Sequence, residues 1–244
     1  MPTYRIDLAY DGAGFHGYAR QQGLRTVQGE LERALATVVG DVETEVAGRT
    51  DAGVHASAQV VSFAHPDVLD VERLARSLNR MLSPEVAVAA VTVTAEGFSA
   101  RHDATSRRYR YTIDNGPVPD PLARRFSWWM ADPLDMGAMN TAAAAFRGEH
   151  DFASLCRAAA GKSTVRRVLA ASWSRRGAFL DYEVEAGAFC HQMVRSMVAL
   201  CVDVGRAKVP PGDVPGIIAA RDRSFAKGAA PPVGLTLIGV HYDP

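Results

Sequence analysis

A carboxylate, a guanidinium, a hydroxyl and an imidazole crowd into ten residues, Ala47-Gly48-Arg49-Thr50-Asp51-Ala52-Gly53-Val54-His55-Ala56, with only small or apolar residues between them. Small neighbours let a bulky planar ligand come close to the backbone. Arg49 and Asp51 are two apart and share a face wherever the chain is extended. A guanidinium beside a carboxylate favours the ionised form, which a nucleophile or general base must take. The same residues also suit a plain turn in which Asp51 bonds its own backbone. Composition alone leaves both readings open.

The elements that must hold this segment follow from periodicity. Tyr4 to Tyr10 alternates like a half-buried strand. Val27, Leu31, Ala34, Leu35, Val38 and Val39 recur at helical spacing behind Thr26, a suitable N-cap. Val42 to Val46 and Ala58 to Phe63 read as strands on either side of the Asp51 segment. Asp70 opens a helix carrying Val71, Leu74 and Leu78 that must end before Pro84, and Val86 to Val93 is a further strand. The second half gives a similar order. Arg107 to Ile113 is a strand, Asp135 to Phe146 a helix, and Val165 to Ser174 and Phe179 to Glu185 are strands. Phe189 to Val204 is a helix stopped by Gly205, with a short helix at Pro215 to Ala220 and a last strand at Leu235 to Tyr242.

These patterns predict an α+β protein of two similar halves in ferredoxin-like strand–helix order, each an antiparallel sheet backed by helices, with a central cleft. The boundary is expected near residue 104. Residues 1–104 would carry the Asp51 segment, and residues 105–244 would complete the cleft. On a helix over 189–204, His191 and Arg195 would sit one turn apart on one face.

Gly12-Ala13-Gly14-Phe15-His16-Gly17 satisfies the dinucleotide fingerprint directly after a strand. Its context does not fit. The third glycine should open a helix, yet Tyr18 to Gly23 has no apolar period and the helix begins only near Val27. A loop that approaches a ligand or backbone closely is the better reading.

Composition narrows the class. The chain has 244 residues, 48% hydrophobic and 22% charged, which is ample for a core and too apolar for wholesale disorder. No apolar run approaches the roughly 20 residues of a membrane helix. Met1-Pro2-Thr3-Tyr4-Arg5 lacks the layout of a signal peptide, so a soluble cytoplasmic protein is expected. Three cysteines without a C-x-x-C, and scattered histidines, predict no disulfide framework and no metal site. The net charge is zero, but it is segregated. Residues 157–176 hold six basic residues and no acid, and residues 101–111 hold four arginines against Asp103. Such patches can meet phosphate on a neutral protein.

Gly48-Arg49-Thr50-Asp51-Ala52-Gly53-Val54-His55 resembles the catalytic-loop motif of the TruA family of tRNA pseudouridine synthases. Further resemblances run in order along nearly the whole chain. They are Tyr10-Asp11-Gly12, Gly17 and Arg20-Gln21; Asn79, Leu82 and Pro84; Phe98 to Arg101 leading to Arg107-Arg108-Tyr109-Arg110-Tyr111; Phe189 to Arg195; and Gly234 to Leu237. The chain has Tyr18-Ala19 where the family usually has Trp-Gln, and Gly187 where Asn is common. The resemblance implies that Asp51 is the essential catalytic aspartate and that Arg49 helps displace the target base. It implies that Tyr109 lies against the uracil and that Arg195 and Leu235 line the pocket. It also implies a homodimer acting on the anticodon stem-loop of tRNA, on its 3′ side, with no cofactor and no membrane association.

The residues accommodate these roles. Tyr109 and Tyr111 share one strand face, with Arg108 and Arg110 on the other, free for phosphate or a neighbouring carboxylate. Tyr111 suits a core position. His55 and His191 are read as structural hydrogen-bonding groups. Two rivals stand beside the enzyme: a non-catalytic RNA-binding module of the same fold, with Asp51 idle, and a carboxylate hydrolase. The hydrolase would need a second acid as partner, and no paired-carboxylate motif accompanies Asp51.

Overall fold

A computed structural model describes residues 1–157, 161–226 and 228–243. In chain order the strands are β1 (Thr3–Tyr10), β2 (Glu45–Val46), β3 (His55–Ala64), β4 (Val86–Thr94), β5 (Ala104–Asp114), β6 (Trp128–Trp129), β7 (Gly148–Asp151), β8 (Val165–Arg176), β9 (Phe179–Ala186) and β10 (Leu235–Tyr242). The α-helices are α1 (Val27–Val39), α2 (Val71–Leu82), α3 (Met136–Ala144), α4 (Met193–Gly205) and α5 (Val214–Ala219). The chain is α+β and divides into two units, Met1–Arg107 with Thr236–Pro244, and Arg108–Leu235. Sequence order assigns the last strand to the second half. Its pairing groups it with the first, because Thr236 and Leu237 lie parallel to His55 and Ala56 of β3.

In the first unit the strand order is β4-β1-β3-β10, with β2 on β3. β1 is antiparallel to both β3 and β4. Its Tyr4, Ile6, Leu8 and Tyr10 are buried, as the alternation predicts. Thr26 caps α1 by accepting from the Gly29 N–H, and Asp70 caps α2 by accepting from the Arg73 N–H. Each such cap contributes about 1 kcal/mol. Leu74, Leu78 and Leu82 form the buried face of α2, which packs on β4. Asn79 fixes that packing. Its side chain donates to the Val88 carbonyl (2.9 Å) and accepts from the Val88 N–H (2.8 Å).

In the second unit the order is β5-β9-β8-β7, with β6 parallel to β5. β8 and β9 form a hairpin in which Arg176 faces Phe179 across Gly177 and Ala178. Gly177 has φ +64°, the sign required at the first central residue of a tight hairpin turn. Asp135 caps α3 through the Ala138 N–H, and α3 packs on α4 and β8. Asn140 repeats on β8 what Asn79 does on β4, donating to the Trp173 carbonyl (3.1 Å) and accepting from its N–H (2.8 Å).

α4 starts at Met193, not Phe189. Gln192 is left-handed (φ +64°), so the preceding residues cannot continue the helix backwards. His191 therefore lies outside the helix and shares no helical face with Arg195. Gly205 is the last helical residue rather than the stop, and the left-handed residue is Ala207 (φ +57°). Gly205 is small for another reason: a Cβ there would sit 2.8 Å from the Met139 sulfur of α3.

Candidate active site

The backbone of the Asp51 segment is held by residues from elsewhere in the first unit. Ala47 joins the sheet through its N–H to the Val60 carbonyl (2.9 Å). Its own carbonyl accepts from Arg107 Nε (3.0 Å) and Nη2 (2.8 Å). The Gly48 carbonyl accepts from Gln59 Nε2 (2.8 Å), and the same amide nitrogen donates to the Tyr10 hydroxyl (3.1 Å). Tyr10 Oη lies 2.8 Å from Thr50 Oγ1. Either hydroxyl can be the donor in that bond. Burial pushes the Tyr10 hydroxyl up to about 12, against the opposing pull of Thr50 and Gln59, so it remains protonated at ordinary pH.

The backbone closes the other side. The Tyr18 N–H donates to the Thr50 carbonyl (3.0 Å) and the Gly53 N–H to the Phe15 carbonyl (3.4 Å). The Val54 N–H returns to the Asp51 carbonyl (3.1 Å), closing a four-residue turn whose third residue, Gly53, has φ +77°. Two glycines of the rejected dinucleotide motif line this turn. A Cβ on Gly12 would lie 2.0 Å from the Val54 carbonyl oxygen. A Cβ on Gly17, at φ +93°, would lie 3.0 Å from the Thr50 carbonyl oxygen. The loop approaches the backbone of Asp51's own segment.

Thr50, Val54 and His55 are buried, Asp51 is half-buried and Arg49 is exposed. Asp51 thus has fixed backbone on both sides. His55 is structural. Its Nδ1 accepts from the Gly12 N–H (3.0 Å), with Asp11 Oδ1 at 3.1 Å from the same nitrogen. Neutral imidazole satisfies Gly12, and the protonated ring would turn that nitrogen into a donor to Asp11.

In the second unit, Tyr109 and Tyr111 lie on the buried face of β5, with 8% and 0% exposure. The Tyr109 ring meets Phe189 edge-on at 5.2 Å. The Tyr111 hydroxyl donates to the Pro231 carbonyl (2.9 Å). Burial pushes that hydroxyl far up, with the nearby Arg195 charge opposing. Arg195, in the first turn of α4, donates from Nε to the Ala230 carbonyl (2.7 Å), and its own carbonyl accepts from the Ala230 N–H (3.0 Å). Leu235 is buried. It follows Gly234, where a Cβ would come within 2.7 Å of the Tyr111 ring. Tyr111, Arg195 and the 230–235 segment thus form one packed group.

The central arginines are mostly engaged. Arg107 clamps the first residue of the Asp51 segment, as given above. Arg108 and Arg110 both pair with Glu183 on β9, Arg110 Nη2 at 2.7 Å. Of the two outcomes open to that strand face, the neighbouring carboxylate is the one found. Burial works to raise Glu183, but the hydrogen bonds from Arg110 and Arg108 outweigh it and hold the group below its ordinary value. In the basic stretch 157–176, residues 158–160 lie outside the described residues. Arg176 pairs with Asp181 (3.1 Å), while Arg167 and Arg175 are exposed.

Tyr10, Arg107 and Phe189 enter the sequence reading only as strand, helix or motif residues, without a role at the site, and Gln59 does not enter it by name. Gln59 carried a signal: a polar residue inside an apolar strand must find partners if buried.

Fold and site define the class as an α+β protein with one carboxylate presented on a braced, glycine-rimmed loop. A family model described as tRNA pseudouridine synthase matches residues 142–243. The chain is 44% identical over 246 residues to a tRNA pseudouridine synthase A of Moorella thermoacetica, covering 99% of this chain and 100% of the relative. It is 43% identical to one from Leifsonia xyli subsp. xyli, covering 98% and 91%, and 43% identical to one from Frankia casuarinae, covering 98% and 89%. The chain belongs to the tRNA pseudouridine synthase A family.

Proposed function

We propose that this chain isomerises uridine to pseudouridine in transfer RNA, with Asp51 as the essential carboxylate. The reaction breaks the C1′–N1 bond, turns the uracil and joins C1′ to C5, whose hydrogen leaves to solvent. Mass and oxidation state do not change, so the chemistry calls for no cofactor. Three routes are open to one carboxylate: attack at C1′, attack at C6, or removal of a ribose proton.

The observation that carries this reading is the bracing of Asp51. Thr50, Gly48 and Ala47 are each tied by side-chain or backbone bonds, so the backbone that carries the carboxylate is fixed before substrate arrives. Extruding a base costs a few kcal/mol, and stacking on Tyr109 would return roughly 1–3 kcal/mol of it. Arg49, exposed beside Asp51, would enter the space the base leaves, and Arg195 and Leu235 would line the pocket. The target is taken to be the 3′ side of the anticodon stem-loop, bound by a cytoplasmic homodimer. In this reading residues 1–104 carry the catalytic loop and residues 105–244 complete the cleft and the tRNA surface. Exposed Arg167 and Arg175 suit phosphate contact.

Asp51→Asn tests the proposal. Tritium release from tRNA labelled at uracil C5 should fall roughly 10⁴-fold, with tRNA binding retained. Undiminished release removes Asp51 from the mechanism. No release from the wild-type chain favours a module that binds tRNA without acting on it.

A further inference from the structure

Two of the three cysteines, 34 positions apart in sequence, meet in the second unit. Cys156 is buried and follows a short 3-10 turn, Ala153–Leu155; Cys190 is half-buried and precedes α4. The Arg157 N–H donates to the His191 carbonyl (3.0 Å), which runs the two backbones side by side at this point. The thiols hydrogen-bond each other, and Cys190 Sγ lies 3.9 Å from the Thr164 carbonyl oxygen. Two guanidinium groups attend the pair. Arg166 lies near both sulfurs and Arg223 near Cys156. Arg166 Nε and Arg223 Nη1 are buried with no hydrogen-bond partner among the described residues. Arg223 Nη2 donates to Gln192 Oε1 (3.1 Å), so it is fixed beside the loop that carries Cys190.

We propose that Cys156 and Cys190 form an oxidisable thiol pair, with Cys190 as the attacking sulfur and Cys156 as the resolving one, closing to an intramolecular disulfide under a peroxide oxidant. Exposure divides the roles, since Cys190 is half-buried and within reach of an oxidant while Cys156 is buried. The hydrogen bond from Cys156 and the charge of Arg166 draw the Cys190 thiol down to about 7, burial and Asp151 opposing. The same hydrogen bond holds the proton on Cys156. Cys201 is an internal control: wholly buried in α4, its thiol is pushed up to about 12 by burial, with Trp173 opposing. The Cys190 thiolate attacks a peroxide oxygen, the O–O bond breaks, and hydroxide leaves a sulfenic acid on Cys190. Cys156 then gives up its proton, its sulfur bonds to that of Cys190, and the sulfenic oxygen departs as water. Two thiols and one peroxide become one disulfide and two waters.

The bond has a consequence for Tyr109. Phe189, whose ring meets Tyr109, is the residue before Cys190. An S–S bond of about 2 Å is shorter than any thiol–thiol hydrogen bond. Closure therefore pulls on the Phe189–Cys190 segment, which carries the ring that meets Tyr109.

The test uses the full chain and hydrogen peroxide, followed by alkylation, digestion and mass spectrometry. The expected product is a cross-linked peptide joining Cys156 to Cys190, two hydrogens lighter than the separate thiols and reversed by dithiothreitol, with Cys201 alkylated only after unfolding. In Cys156→Ser, Cys190 should instead accumulate a sulfenic acid that dimedone traps. Cys190 carried to sulfinic acid in the wild-type chain, without a cross-link, overturns the pair. So does oxidation of Cys201 at a matching rate. A second readout rests on the uridine-isomerising reading: tritium release should fall at least tenfold on oxidation, return with dithiothreitol, and be unaffected in Cys156→Ser under the same brief treatment. A cross-link without that fall overturns the link to Tyr109. Absent release from the reduced chain as well would indict the activity reading and not the thiols.

Discussion

The hydrogen-bond relay from Gln59 through Tyr10 to Thr50 holds the residue before Asp51, and Tyr10→Phe removes its middle atom without changing the ring. The hydroxyl accepts from Gln59 at 3.1 Å and shares a hydrogen bond with the Thr50 hydroxyl at 2.8 Å, and all three side chains are buried. Losing it strands one N–H of Gln59 and leaves the Thr50 hydroxyl without that partner. A buried unsatisfied group costs about 1–3 kcal/mol. Gln59 keeps its bond to the Gly48 carbonyl and the Thr50 hydroxyl can rotate, so the low end applies, about 2 kcal/mol in all. At 2–4 °C per kcal/mol for a chain of this size, Tm should drop by roughly 4–8 °C. The catalytic effect should be larger than that number suggests. Displacing a reacting group by about 1 Å costs on the order of 10²-fold in rate, and Asp51 is one peptide bond from the freed residue. The expected result is kcat down roughly 30- to 100-fold with KM for tRNA within about twofold, because the proposed phosphate contacts, Arg167 and Arg175, lie outside the relay. Thr50→Ser should retain most activity and Thr50→Val should behave like Tyr10→Phe. The assays are tritium release under saturating and limiting tRNA, and thermal unfolding followed by circular dichroism. A Tm that falls as stated while kcat stays at the wild-type value would refute the relay as a positioning device and leave it a piece of core.

Other perturbations separate the supports of the fold. Gly12→Ala places a Cβ 2.0 Å from the Val54 carbonyl oxygen, so soluble protein should lose activity at least tenfold, whereas Gly216→Ala, with open space around it, should be silent in the same release assay. Glu183 is held below its ordinary value of 4.5, so its contribution to stability is full above that pH and is lost as pH falls below it. Urea midpoints from pH 7 to 3 should therefore drop more steeply for the wild-type chain than for Glu183→Gln, and parallel curves would contradict the pairing. Tyr10, Tyr18, Tyr111, Tyr182 and Tyr242 are all held neutral beyond their ordinary 10.0 by burial, so unfolding releases protons above that pH and stability falls as pH rises. Phenolate absorbance from these rings should appear together with loss of far-ultraviolet dichroism; a separate, earlier rise would show that the rings ionise in the folded chain.

What the sequence makes legible here is what is local. Thr26, Asp70 and Asp135 announce helix starts because a cap bonds an N–H only three residues ahead. The alternation of Tyr4, Ile6, Leu8 and Tyr10 announces β1 because strand period is built into the backbone. Short elements escape for the same reason. β7 is Gly148-Glu149-His150-Asp151, polar throughout, and exists only because it pairs with Val165 to Val168 of β8. The apolar pattern starts α4 four residues too early, since it runs back to Phe189 and nothing in it reveals that Gln192 is left-handed.

The candidate site divides along the same line. Asp51 stands out through the local run of residue types around it, but what holds it is distant in sequence: Gln59 reaches back to Gly48, Tyr10 crosses 40 positions to Thr50, and Arg107 crosses 60 to Ala47. Charge in sequence misleads for a related reason. Arg107, Arg108 and Arg110 read as one basic patch, yet strand alternation sends them to different work, Arg107 to a backbone carbonyl and the other two to Glu183, 73 to 75 positions away. A guanidinium already satisfied by carbonyls or a carboxylate has fewer donors left for phosphate. Arginines such as Arg167 and Arg175, which the fold leaves exposed, are therefore better candidates for RNA contact than the denser run on β5.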